Sequence, residues 1–117
     1  MKQIILSAYL GLIQLTLLWG SDLSPEFGAG ARYPNTELMN NGNILVSWLE
    51  PGEKDSFHVK ISQFNGSTWG DPKMIISAAN LFVNWADFPS VFHLGGDKLA
   101  VYWLQNAGAG GYEYDVH

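Results

Sequence analysis

Residues 31–35 read ARYPN and residues 86–90 read ADFPS. A displacement of 55 positions superimposes the two stretches, and the register then continues without a gap. Tyr33 falls on Phe88, Pro34 on Pro89, Ile44 on Leu99 and Val46 on Val101. Trp48-Leu49-Glu50 falls on Trp103-Leu104-Gln105, and further along Phe57 meets Tyr112 and Ile61 meets Val116. The matched positions are apolar or turn-setting, the ones a tandem unit must keep if each copy is to build the same layer.

Each unit carries strand signals. The run NILVSWLE (43–50) follows the turn NNGN, and SFHVKISQF (56–64) alternates Phe57, Val59 and Ile61 with His58, Lys60 and Ser62, the period of a half-buried strand. NGSTWGDP is turn chemistry with Asn-Gly at 65–66, and KMIIS (73–77) is a short strand. The cycle restarts with FPSVFHL, the turn GGDK, the strand LAVYWLQ, the loop NAGAGG and the strand YEYDV. No stretch after the leader has helical periodicity, so the expected fold class is all-β. A 55-residue unit of about four short antiparallel strands has the size of one β-propeller blade. Blade one spans 32–77, and an incomplete blade two spans 84–117. Closing a ring takes at least about four blades, so the chain reads as an N-terminal piece of a longer propeller.

The first 21 residues, MKQIILSAYLGLIQLTLLWGS, have a cation at Lys2, an apolar run from Ile4 to Trp19 and then small residues, the layout of a secretory signal peptide. The run is interrupted by Gln14 and is shorter than the roughly 18–20 residues a membrane span needs. Ser21 stands where a lipid-bearing cysteine would. A secreted or periplasmic protein, free of the membrane after signal removal, is expected. Residues 22–31 are a linker. The absence of cysteine removes disulfides, thiol catalysis and cysteine-based metal sites. A net charge of −5 argues against binding nucleic acid or anionic lipid. His58 and His93 lack ligand spacing and His117 is terminal, so no metal site and no cofactor are expected. GAGG is no phosphate loop, because no helix follows it.

Two features carry a family resemblance. SQFNGSTWGDP (62–72) resembles the Asp-box of sialidases, with Ser62, Gly66, Thr68 and Trp69 in register and Phe64 in the aspartate place. ARYPN resembles the Arg-Ile-Pro segment that opens their first blade. In this order and spacing, residues 31–117 look like the N-terminal part of a bacterial exo-α-sialidase, a neuraminidase of the Asp-box repeat class. The resemblance implies a six-bladed propeller that cleaves terminal sialic acids from glycoconjugates. It implies that Arg32 grips the sugar carboxylate and that Asp55 is the acid/base. The family completes its site with two more arginines and a Tyr–Glu pair from later blades, and uses tyrosine as its nucleophile. Tyr112 and Tyr114 lie too early for that role, so this polypeptide alone is expected to be inactive.

Strand alternation places these groups on one rim. Arg32 precedes the first strand, and the loop EPGEKDS, with Glu50, Glu53 and Asp55, returns to the same side. Trp85, Asp87 and NAGAGG also lie there, and the Asp-box turn lies opposite. Arg32 would hold a carboxylate with two parallel hydrogen bonds that lysine cannot copy, and otherwise is a solvent-exposed linker arginine. Asp55 needs a raised pKa to protonate a glycosidic oxygen, and otherwise is a turn residue in a solvated loop. Glu50 and Glu53 compete for the role, although Gln105 in the repeat marks Glu50 as structural. Asp87, which replaces Arg32 in the second copy, would contact ligand or orient the WADFP turn. Trp85 would stack on a sugar ring or close the seam between blades. Trp48 and Trp103 read as core, and Trp69 as packed under its own turn. The expected partner is a sialylated glycan or other carbohydrate. A non-catalytic propeller that binds glycan or protein through the same face is the alternative, and a kelch-like propeller without a carbohydrate role is a third.

Overall fold

A computed structural model describes residues 24–108 and 114–117. The leader at 1–21, Tyr112 and most of the glycine-rich loop lie outside the described residues. Among the described residues all regular structure is antiparallel strand, as expected.

The first unit forms a four-stranded meander of β1 (Arg32–Leu38), β2 (Ile44–Pro51), β3 (Phe57–Phe64) and β4 (Lys73–Ala78), hydrogen-bonded in chain order. The β1–β2 turn closes where Gly42 takes φ 85°, a left-handed conformation that suits glycine, and the Asn41 side chain accepts the Asn43 N–H at 3.0 Å. β2 is buried from Leu45 to Glu50, so both of its faces are covered. Leu45, Ser47 and Leu49 share one face with Ile61 and Val59 of β3, while Val46, Trp48 and Glu50 share the other with Ser62, Lys60 and His58.

The second unit contains β5 (Leu81–Phe82), β6 (Ser90–Gly95), β7 (Lys98–Tyr102), β8 (Leu104–Asn106) and β9 (Tyr114–Val116). The expected single strand LAVYWLQ is divided at Trp103 into β7, paired with β6, and β8, paired with β5 on one side and β9 on the other. β5 has no counterpart in the sequence reading. It is two residues long, too short for alternation to register, and is tied to β8 by Asn106 N–H to Asn80 O at 2.8 Å.

The two units share their strand register. Asn35↔Ser47, Thr36↔Val46, Glu37↔Leu45 and Leu38↔Ile44 in β1–β2 become Ser90↔Tyr102, Val91↔Val101, Phe92↔Ala100 and His93↔Leu99 in β6–β7, each displaced by 55. The gapless match stops at the next loop. Leu49 pairs with Val59, but Leu104 pairs with Val116, so Val116 is the counterpart of Val59 and Tyr114 of Phe57. The expected matches of Ile61 with Val116 and Phe57 with Tyr112 are corrected accordingly. The glycine-rich loop holds two more residues than the loop 52–56, and the strand beyond it shifts by a full side-chain period, which keeps its faces inward and outward as before.

The core lies between the sheets. One cluster joins Met39, Leu45 and Ile61 to Val91, with Leu99 and Val101 packed against it. The other joins Leu49, Val59 and Leu81, with Tyr33, Phe57 and Trp103 around them. Each fully buried aliphatic side chain here contributes about 1.5–3 kcal/mol through the apolar surface it removes from water.

Candidate functional site

The rim that carries the sequence candidates is the end of the first sheet where β1 starts, β2 ends and β3 starts. Arg32 is the first residue of β1 and faces Leu49 of β2. A bulge separates Arg32 from Asn35, and within it Tyr33 takes φ 54°. A left-handed tyrosine costs about 1–2 kcal/mol and persists only where its surroundings fix it. Here Pro34 needs no ladder partner, and the Tyr33 ring is stacked on Phe88 at 5.7 Å. The bulge turns Arg32 outward. Its guanidinium lies 4.6 Å above the Phe57 ring and 5.9 Å from the Tyr33 ring, a cation–π seat that holds the charge over an apolar floor. Arg32 is exposed, and no carboxylate among the described residues is ion-paired with it.

Asp55 is on the same rim, two residues before Phe57. Lys54 and Asp55 take φ 51° and 61°, and Ser56 N–H donates to Glu53 O at 3.1 Å, the mark of a type I′ turn. Gly52 N–H to Ser56 O at 2.8 Å closes the loop. The Asp55 side chain is exposed, so the turn explains its presence without any chemistry.

Glu50 takes no part in the rim. It is 6% exposed, and its carboxylate accepts the Trp48 indole N–H and the Gly28 backbone N–H, each at 2.7 Å, and pairs with Lys60 at 2.5 Å. Burial alone would raise its pKa. The hydrogen bonds from Lys60, Trp48 and Gly28, with the Lys60 charge, outweigh burial and hold the carboxyl below its ordinary value. Sequence reasoning did not find this cluster or its consequence, which is that residues 24–31 are latched to the sheet rather than loose. Gly28 permits the approach, since a Cβ there would lie 2.5 Å from a Glu50 carboxylate oxygen. Phe27 packs edge-on against Trp48 with ring centroids 5.0 Å apart. A pocket of about 300 Å³ opens beside them, lined by Phe27, Gly28, Arg32, Pro34 and Trp48 among others. The available signal was Phe27, the single aromatic in DLSPEFGAGA, beside Gly28.

Asp87 is held in its own turn. It accepts the Asn84 side-chain N–H at 2.9 Å, while Asn84 Oδ1 accepts the Ala86 and Asp87 N–H groups at 2.8 Å each. Of the two expected uses this is the turn-orienting one. Trp85, at the tip of this turn, is 85% exposed, so the expectation that it closes the seam is corrected. The seam is filled instead by the Tyr33–Phe88 stack. The structure therefore brings Arg32 and Asp55 to one rim through Phe57, sets the turn bearing Trp85 and Asp87 next to it through Phe88, and leaves Glu50 inside.

At the opposite end, Trp69 packs on Phe64 with centroids 5.2 Å apart, as expected. The turn is organised by Asn65, whose side-chain oxygen accepts the Ser67 and Thr68 N–H groups at 2.9 Å, and by Ser62 donating to Gly70 O at 2.6 Å. No group of three or more metal-ligating side chains occurs among the described residues. Comparison with family models, with curated proteins and with solved structures finds no match to this chain.

Proposed function

We propose that the Arg32 rim binds a carboxylated sugar, a terminal sialic acid of a glycan, and that the two repeat units are blades of a sialidase-like β-propeller acting outside the cytoplasm. The observation that carries this reading is the Arg32 guanidinium, exposed, free of any carboxylate among the described residues and seated on Phe57. A guanidinium so placed offers two parallel N–H donors to a ligand carboxylate. The apolar floor below it limits competition from water. The strained bulge at Tyr33 supports the same reading, since bulges re-aim side chains beside sites.

The test is titration of the full chain with a methyl α-sialoside, followed by NMR. Binding should weaken at least about tenfold in Arg32→Ala and measurably in Arg32→Lys, because a point charge does not reproduce the fork. Binding unchanged in both variants ends the assignment. A neutral galactoside is the control and should not bind through Arg32.

Hydrolysis is the second reading, favoured by Asp55 on the same rim two residues from the ring that Arg32 covers. In an assembly that supplies further blades, Asp55 would protonate the leaving oxygen. Cleavage of a fluorogenic sialoside that survives Asp55→Ala removes Asp55 from this role, and absence of cleavage with binding intact leaves a glycan-binding propeller.

A further inference from the structure

At the end of the molecule opposite Arg32, the β1–β2, β3–β4 and β6–β7 turns enclose a cleft of about 610 Å³ between the two repeat units. Its floor is the end of the shared core, where Met39 and Ile61 are buried and Leu99 is half-buried. Gln63, Asp71 and Lys73 line the wall from the first unit, and Asp97 lines the wall from the second. None of these four side chains has a hydrogen bond or an ion pair with another described residue.

His93 ties the two walls together. Its Nδ1 accepts the Asn40 N–H at 3.5 Å, and its Nε2 donates to Gly96 O at 3.0 Å. The neutral ring with hydrogen on Nε2 satisfies both contacts. The His93 backbone N–H donates to a Glu37 carboxylate oxygen at 3.0 Å, so the turn bearing Asp97 is bonded to the first unit at two places. The cleft is therefore in place before a ligand arrives. An apolar floor with a few convergent polar groups is the usual make-up of a small-molecule site.

We infer that this cleft binds a small zwitterion with an apolar body, a dipeptide with aliphatic side chains. The charges select it. Asp71 and Asp97, one from each unit, offer acceptors to the three N–H donors of an ammonium, and Lys73 offers a cation to a carboxylate. Pro72 favours extended backbone at Asp71, so Asp71 and Lys73 lie roughly 6–7 Å apart along the chain. The two ends of an extended dipeptide are at most about 7 Å apart. Its aliphatic side chains continue the core over Met39, Ile61 and Leu99. A polyanion would meet two carboxylates here. A neutral sugar would leave every charge unpaired and would find no aromatic ring among the described lining residues. The inference is independent of the Arg32 rim, which lies at the other end of the sheet.

The test is titration of the full chain with L-leucyl-L-leucine, followed by NMR and by the thermal midpoint. Binding should move the Met39 and Leu99 methyl signals and raise the midpoint, because the ligand contacts the folded chain alone. Asp97→Asn and Lys73→Gln, at exposed positions, should each weaken binding about tenfold, the worth of one charge-assisted hydrogen bond. A ligand series asks the same question of the unmodified chain. N-acetylation, C-terminal amidation and replacement of both side chains by hydrogen, as in glycylglycine, should each weaken binding by a comparable factor. The amidated dipeptide should be indifferent to Lys73→Gln and still respond to Asp97→Asn. A dipeptide that leaves the spectrum unchanged at millimolar concentration overturns the inference. So does equal binding of glycylglycine or of the capped forms, or displacement of the dipeptide by a methyl α-sialoside.

Discussion

Tyr33 and Phe88, 55 positions apart, stack on one another with ring centroids 5.7 Å apart and planes within 10° of parallel. They are equivalent residues of the two copies, so the units meet through the same position that defines them as copies. Sheets joined in this way share a core and should unfold as one body. The left-handed bulge at Tyr33 that makes the stack possible also turns Arg32 to the rim, which ties the packing of the units to the geometry of the site.

The Glu50 latch gives stability an acid limit. The folded-state pKa of Glu50 lies below 4.5, so its ionised form contributes stability above 4.5, and the contribution is lost as pH falls through the lower folded value. Urea midpoints measured from pH 6 downward should drop in that window. In Glu50→Gln the plateau above that window should lie about 1–3 kcal/mol lower and the acid limb should flatten, the two curves converging at low pH, because a buried charge-assisted network has been broken. An unchanged acid limb would show that another carboxylate sets it.

Gly28→Ala should release the arm. The added methyl collides with a carboxylate pinned by three donors, and the exposed arm is the side that yields. Limited proteolysis should cut near Phe27 several-fold faster, and Trp48 fluorescence should shift to the red, while the sheet core is retained. Protection equal to that of the unmodified chain would mean that the arm is held by something other than Glu50.

Asp55 should tolerate Gly and Asn but not Val. Its φ of 61° in a type I′ turn suits residues that visit the left-handed region, whereas a β-branched side chain there costs about 1–2 kcal/mol or more. Denaturant unfolding separates this effect from chemistry, since Asp55→Asn keeps the turn and removes the acid.

Two tryptophans should behave oppositely. Trp48→Phe removes an indole N–H from a buried carboxylate and should cost about 1–3 kcal/mol, while Trp85→Ala, at 85% exposure, should stay within about 0.5 kcal/mol. A large stability loss at Trp85 would place it in a packing role.

The strands β2, β3 and β4 were legible because Phe57, Val59 and Ile61 alternate with polar residues and because turn residues flank each run. The repeat was legible because Tyr33, Val46 and Trp48 recur at a fixed displacement. The two-residue shift after Gln105 was not, since alternation has the same period as the shift, and Ile61 matches Val116 in character as well as Val59 does. β5 escaped because Leu81–Phe82 is too short to show a pattern. At the rim, strand reversal correctly put Arg32 and Asp55 at one end. The seat on Phe57 and the latch at Gly28 were hidden, because a cation–π contact and a backbone donor from a loop leave no spacing signature. The choice between the two expected uses of Trp85, stacking on a sugar ring or closing the seam, was not legible, because an aromatic beside a proline turn reads alike whether it faces in or out.

The shared core of the two units is tested most directly by a double-mutant cycle on Tyr33→Ala and Phe88→Ala, followed by denaturant unfolding. Alanine keeps a Cβ at position 33, so the backbone strain cancels through the cycle. The expected result is one cooperative transition in every variant and a coupling energy of about 0.5–1.5 kcal/mol between the rings. Additive losses, or two separate transitions in the unmodified chain, would contradict the packing of one copy upon the other.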